Sequence, residues 1–296
     1  MNYSWLIKGL GTVVVVNTAG MPAVAAAEGG EFLWSQDGPI VSCQQVGTGG
    51  NGGRTYTFDD TTYEVIDPDE RDELISKAAT ACTTLWTDMH ALFYERHDFN
   101  EPIGHWDMSN VTATNTMFAY AVSFDQDISH WDVSAVEDME DMFFATNFNH
   151  PIGDWDVAQV HSMAGMFAQS TFNQDIGDWQ TDSLETMGGM FAGNIVFNQD
   201  IGQWNTHKVW SMGYLFHDAQ AFDQDISGWD TSHALEMMHM FDGARAFNQD
   251  LSSWRVEQVR DHADFAPGTD SWTLPKPEFT QALDPQLDLE HDLAQE

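Results

Sequence analysis

"FNQDIGDWQTDSLETMGGMF", residues 172–191, is a phrase the chain repeats: "FNQDI" returns at 197, "FDQDI" stands at 124 and 222, and "FNQDL" at 247. With Trp as marker the copies fall at Trp106, Trp131, Trp155, Trp179, Trp204, Trp229 and Trp254, in steps of 25, 24, 24, 25, 25 and 25 residues. Each copy opens with Phe seven residues before its Trp (Phe99 through Phe247) and has Ile or Leu four residues after that Phe. Eleven residues after the Trp comes Met, Leu or Phe (Met117 through Phe265), and in the first six copies another Phe follows. A fixed period in this range means stacked supersecondary units, each too small to bury its own apolar face. The spacing predicts a solenoid.

Two periodicities meet within a copy. The alternation Trp131-Asp132-Val133 suits a short strand with Trp131 and Val133 inward, while Val136, Met139, Met142 and Phe143 are spaced for a helical face. Ser134-x-x-Glu137 reads as a capping box, which starts that helix near Ser134. The expected fold class is therefore α/β, a stack of about seven to eight strand-plus-helix turns of 24–25 residues. Residues recurring at one phase of every turn are core, so the Trp, Phe and Met columns read as packing rather than as a cofactor cage. The residue after the leading Phe is always Asn or Asp (Asn100, Asp125, Asn149, Asn173, Asn198, Asp223, Asn248). A short side chain with an acceptor oxygen can bond the backbone of its own turn and of the next, so this column reads as a structural ladder.

Two columns are candidate sites. Asp127, Asp175, Asp200, Asp225 and Asp250 repeat once per turn and could hold Ca²⁺, a hard cation tolerant of loose oxygen geometry, or could be turn carboxylates facing water. Pro102 and Pro151 take that position in two copies, which favours turns; calcium is thus a possible cofactor, and no other is indicated. With Trp inward, its neighbours face outward, giving His105, Asp107, His130, Asp132, Asp154, Asp156, Asp178, Gln180, Gln203, Asn205, Asp230 and Arg255 as an expected ligand-binding face. The chain has no H-E-x-x-H, no G-x-S-x-G and no P-loop, and its histidines fall at differing phases, so no catalytic residue is expected.

The runs "FNHPIGDWDV" at 148 and "FDQDISHWDV" at 124, followed by "MEDMF" at 139 and "MAGMF" at 163, resemble the bacterial surface-protein repeat of roughly 26 residues, the mycoplasma-type lipoprotein domain of unknown function. The resemblance covers about residues 74–267. It implies a leucine-rich-repeat-like curved stack, with short parallel strands on one face and helices on the other, and adhesion to a host or neighbouring cell as the natural context. The last copy departs from the pattern, with His262 and Phe265 at the two Met positions and Ala266 at the Phe position.

Before the first full copy, "ACTTLWTDMHALF" at 81–93 reads as part of a degenerate leading turn. The expected organisation is a signal peptide over 1–27, an N-terminal cap over 28–73, repeats over 74–267 (leading turn 74–98, seven copies from 99), and a C-terminal cap with an acidic tail over 268–296. Within the cap, 54–67 reads as two strands about a turn and 68–82 as a helix started by Asp67 or Asp69. Lys8, the apolar stretch Leu10–Val16 and the small residues Ala23, Ala25 and Ala27 make the signal peptide, and no Cys follows for lipid attachment. In an exported chain the two cysteines, Cys43 and Cys82, most simply form one disulfide.

The net charge of −37, from 47 acidic against 10 basic side chains, argues against nucleic acid and anionic lipid as partners. The expectation is a secreted or cell-surface protein, not an enzyme and not inserted in a membrane, that binds a protein or a surface polysaccharide through its strand-bearing face. A purely structural envelope protein and, further off, a secreted hydrolase are the alternatives.

Overall fold

The structure is a computed structural model; it describes the backbone of residues 31–35, 38–42 and 55–58 and all of residues 61–280. The expected signal peptide and most of the acidic tail lie outside the described residues, as does Cys43. Strands β1 (Glu31–Ser35) and β2 (Gly38–Ser42) form an antiparallel pair. The two strands expected over 54–67 are β3 (Thr55–Phe58) and β4 (Thr61–Val65), also antiparallel. Helix α1 is shorter than the sequence predicts, Arg71–Ser76, and starts after Glu70 with no side-chain cap. A single 3-10 turn, Ala78–Thr80, follows, and β5 (Ala81–Cys82) pairs parallel to β4 through Glu64–Ala81 and Val65–Cys82.

From β5 onward the chain runs in turns joined by hydrogen bonds that repeat almost without variation. Parallel bridges link Asp88, Ala113, Asp138, Ser162, Thr186, Ser211, Glu236 and Asp261, each to the next. Between the second and third of these turns Glu137 N–H donates to the Thr112 carbonyl, and the N–H groups of Thr114, Thr116, Phe118 and Tyr120 donate to the carbonyls of Asp138, Glu140, Met142 and Phe144, at 2.7–3.0 Å. Five equivalent bonds join every adjacent pair from Thr87–Glu95 to Arg260–Pro267.

The helical face expected over Val136–Phe143 is therefore not a helix, although Val136, Met139, Met142 and Phe143 are all buried as that reading requires. Its N–H groups bond the next turn instead of residue i−4, and two left-handed residues per turn prevent helix from propagating. Those residues fall ten and fourteen positions after the Trp phase: Ala91 and Glu95, Thr116 and Tyr120, Asp141 and Ala145, Gly165 and Gln169, Gly189 and Gly193, Tyr214 and Asp218, His239 and Gly243, Asp264 and Gly268. Between these corners alternate N–H groups point along the stack, and the others close turns such as Met142 N–H to the Met139 carbonyl (3.2 Å). The capping box fails as well: Ser134 gives its N–H and Oγ to Asp132 Oδ1, at 3.1 and 2.6 Å. The W-x-V segment, expected as the strand, carries no ladder, and Trp131 N–H closes a turn on the Ile128 carbonyl (3.1 Å). The hydrogen-bonded column thus lies six to fourteen residues beyond the Trp.

The core is a set of rows. Phe118 stacks on Phe124 within its turn at 4.0 Å between ring centroids and on Phe143 of the next turn at 5.6 Å. Trp106 and Trp131 stack at 6.4 Å, and Trp229 and Trp254 at 6.2 Å. Each indole also donates to a carbonyl one turn back, as Trp204 Nε1 does to Ile176 at 3.0 Å. Buried aromatic polar groups need such partners, and here the partner ties two turns together.

Candidate functional site

The phrase "FNQDI" can now be read residue by residue. Phe and Ile are core. Asn173 Oδ1 accepts the Asn198 N–H of the next turn (2.9 Å), and Gln199 Nε2 reaches back to both Asn173 oxygens at 3.0 Å. The same clamp recurs from Asn198 to Asp223 with Gln224, and from Asp223 to Asn248 with Gln249. The Asp closes its own turn: Asp127, Asp175, Asp200, Asp225 and Asp250 each present Oδ1 to the N–H two residues on, at 3.0 Å. Hydrogen bonds from the Ser129, Ser227 and Ser252 side chains, and after them these backbone bonds, hold Asp127, Asp225 and Asp250 below the usual carboxylate range. The column considered for calcium is thus a column of turn-closing carboxylates, present in five of the seven copies. Among the described residues no group of three or more His, Cys, Asp or Glu is gathered to hold a metal ion. Close packing fixes the residue two past this Asp in several turns: a Cβ at Gly177 would stand 2.5 Å from the Asp200 carbonyl oxygen.

The column flanking the Trp is not uniform. His105 turns back to the Ala81 carbonyl (3.0 Å) and lies against the Tyr63 ring; burial pulls its pKa down to about 4. Asp107 is buried and accepts from Thr84 Oγ1 (2.9 Å) and from Ser109. His130 Nε2 sits 2.6 Å from the Gly104 carbonyl oxygen, and its buried Nδ1 has no partner. These three belong to the packing between turns. Asp132, Asp154, Asp156, Asp178, Gln180, Gln203 and Asn205 are exposed; Asp132 and Asp156 close Asx turns, and Asn205 Nδ2 donates to Asp182 (2.7 Å). Asp230 and Arg255 pair at 2.7 Å.

The outward column of the hydrogen-bonded ladder is the surface that sequence reasoning missed. Six residues past each Trp stand Thr112, Glu137, His161, Glu185, Trp210, Leu235 and Arg260, all exposed but Leu235, which is half-buried. Trp210 leaves 41% of its surface in water, unlike the repeat indoles, which are at most 5% exposed. On the same face Asp138, Glu140 and Asp141 crowd together; burial, then Glu140 and Asp138, push Asp141 up to about 6. The notch that takes the Asp141 carboxylate exists because Gly165 of the next turn has no side chain: a Cβ there would collide with it. Farther along, Tyr214 stacks on His239 at 4.8 Å, and Asp242 Oδ2 stands 3.1 Å from His239 Nδ1 and 3.6 Å from His217 Nδ1. The available sequence signal was the recurrence of Gly at two fixed phases, Gly165 and Gly189, then Gly193, Gly243 and Gly268, which marks left-handed corners and hence a non-helical run.

No helix among the described residues is long and apolar enough to cross a membrane. No curated protein and no solved structure matches the chain. A family model described as "Mycoplasma protein of unknown function, DUF285" matches residues 73–176 and again 168–273, two tandem matches whose span is that of the stacked turns. By that match, over more than half its length, the chain belongs to the DUF285 family.

Proposed function

We propose that the protein is an exported, non-enzymatic solenoid of the leucine-rich-repeat-like kind that binds a macromolecule, a protein or a surface polysaccharide, in adhesion at or outside the cell surface. The observation that carries the reading is the column Thr112, Glu137, His161, Glu185, Trp210, Leu235 and Arg260: it changes in chemical character at every turn while the buried position beside it (Val111, Val136, Val160, Leu184, Val209, Ala234, Val259) stays apolar. A rigid scaffold that varies only on one outward row is how solenoids present an extended binding surface, and many modest contacts summed over turns give affinity with little rearrangement. The ligand face of this proposal is thus the hydrogen-bonded ladder rather than the Trp-flanking column. A Cys43–Cys82 bond belongs to the same proposal, as a staple of the cap onto the leading turn.

The test is binding of the mature chain to an array of glycans and extracellular-matrix proteins, with three variants alongside. Trp210→Ala and Glu185→Lys are expected to lose the bound array elements while the melting temperature stays unchanged. The triple reversal of Asp132, Asp156 and Asp178 to Lys is expected to keep them. Loss of binding in the triple variant alone moves the site back to the Trp-flanking column, and no binding to any element by the parent chain defeats the proposal.

A further inference from the structure

Among the described residues, part of the five-bond ladder that joins each pair of turns is unmatched at the two ends of the stack. In the last turn the N–H groups of Asp264, Ala266 and Gly268 stand at donor phases and the Arg260 carbonyl at the acceptor phase, with no described partner. In the leading turn the carbonyls of Asp88, Leu92 and Tyr94 and the Thr87 N–H are their counterparts, without a partner among the described residues. Elsewhere the ends are covered. Trp272 takes the place of the next leading Phe, Thr273 N–H bonds Asn248 Oδ1 at 2.7 Å, Leu251 N–H bonds the Pro275 carbonyl, and Phe279 stacks on His262 at 4.3 Å. At the other end Leu74 of α1 is fully buried, and Arg71 donates to the His90 carbonyl. The caps close the aromatic core at both ends and, apart from the His90 carbonyl that Arg71 occupies, leave these ladder positions open among the described residues.

From these two edges we infer that the chain associates head to tail with a second copy of itself, the last-turn ladder of one molecule continuing onto the leading-turn ladder of the next. Three bonds are in register: Ala266 N–H to the Leu92 carbonyl, Gly268 N–H to the Tyr94 carbonyl, and Thr87 N–H to the Arg260 carbonyl. These are the pairings made at all seven interfaces inside the molecule, so the contact continues an interface the fold already uses. The backbone decides the occupant. Left-handed residues at Ala91 and Glu95 on one edge and at Asp264 and Gly268 on the other kink both in the same way, and an ordinary extended strand cannot follow that path over several bonds. A cleft of about 730 Å³ between α1 and the leading turn, lined by Ile75, Ala91, Leu92 and Tyr94, gives the incoming edge room. The cleft carries Asp69, Glu70, Asp72 and Glu73 against Arg71 and Arg96, and the last turn carries Arg260 and Asp264, so both faces are mixed in charge. The contact is heterologous and does not close on itself, so it extends to short filaments. The net charge of −37 opposes it at low ionic strength.

Sedimentation velocity of the mature chain at low salt and at about 1 M NaCl, where the Debye length falls to about 3 Å, tests the inference. Concentration-dependent species larger than a monomer are expected at high salt. Two variants assign the edges: Ala266→Pro removes a donor from the last turn, and Ile75→Trp fills the cleft at the leading turn. Each, folded by circular dichroism, is expected to be monomeric alone, and the two mixed are expected to form a dimer and nothing larger, through the one intact pair of edges. A parent chain that stays monomeric at high salt overturns the inference. So does either variant that still polymerises, or a mixture of the folded variants that stays monomeric.

Discussion

At the scale of single residues the repeated phrase is a division of labour. Phe and Ile fill the core, Asn and Gln clamp adjacent turns, Asp closes its own turn, and Trp packs while its N–H ties back one turn. Most of this was legible, because a residue repeated at one phase must meet the same surroundings each time: the Asn173-type ladder and the buried Trp column follow from that alone. Asp141 is the exception that pH reveals. Its carboxyl is raised from 3.8 to about 6, chiefly by burial in the slot over Gly165, so the ionised form is worse off folded than unfolded. That penalty is full above about pH 6, fades as pH falls towards 3.8 and is gone below it. Asp141→Asn, which tolerates the left-handed backbone there, is therefore expected to stabilise the protein at pH 8 by on the order of 1–2 kcal/mol after allowance for solvent screening, and hardly at all at pH 3.5. Thermal melts of parent and variant across that range check it. His105 works in the opposite sense: held neutral by burial, with its pKa near 4, it costs stability as pH falls from 6.5 to that value.

At the scale of the element the reading from sequence went astray, and for a definable reason. An apolar pattern at Val136, Met139, Met142 and Phe143 fits a 3.6-residue period and equally fits tight turns with two left-handed corners four residues apart, at Asp141 and Ala145. Glycine would have announced the corners, but eleven of the sixteen are Ala, Glu, Thr, Tyr, Asp, Gln or His, which hide them. The same ambiguity misplaced the candidate site, since the strand was assigned to W-x-V, whose alternation of buried and exposed residues is real while its ladder is absent. Corners filled by L-residues carry strain that glycine would relieve. Gly189→Ala is expected to cost about 1 kcal/mol, a purely conformational cost because nothing lies within 4 Å of the added Cβ. Ala145→Gly, at φ +53°, is expected to gain about 0.5–1 kcal/mol, the relieved strain outweighing the added freedom of the unfolded chain. Urea titration of the pair checks both signs; a stabilised Gly189→Ala would contradict the left-handed geometry.

At the scale of the whole molecule, charge is spread unevenly over a regular frame. From His97 to His207 there is no Lys or Arg, so the middle turns carry carboxylates alone, and the cations gather towards the two ends. Such a surface should respond to screening rather than to a particular ion, since each carboxylate of the Asp127–Asp250 column already has a donor in its own turn. CaCl₂ and NaCl at matched ionic strength are therefore expected to raise the melting temperature equally; a rise specific to calcium would assign a second role to that column. The stack has a further consequence. The bonds that join one turn to the next run along its axis, while those within a turn close only short loops between residues two or three apart. A molecule tethered at one end and pulled from the other would load those sets of five bonds in series, and the weakest set would part first. Each release would free 24 or 25 residues, about 80–90 Å of slack at full extension, so the chain would pay out in equal steps as a mechanical fuse.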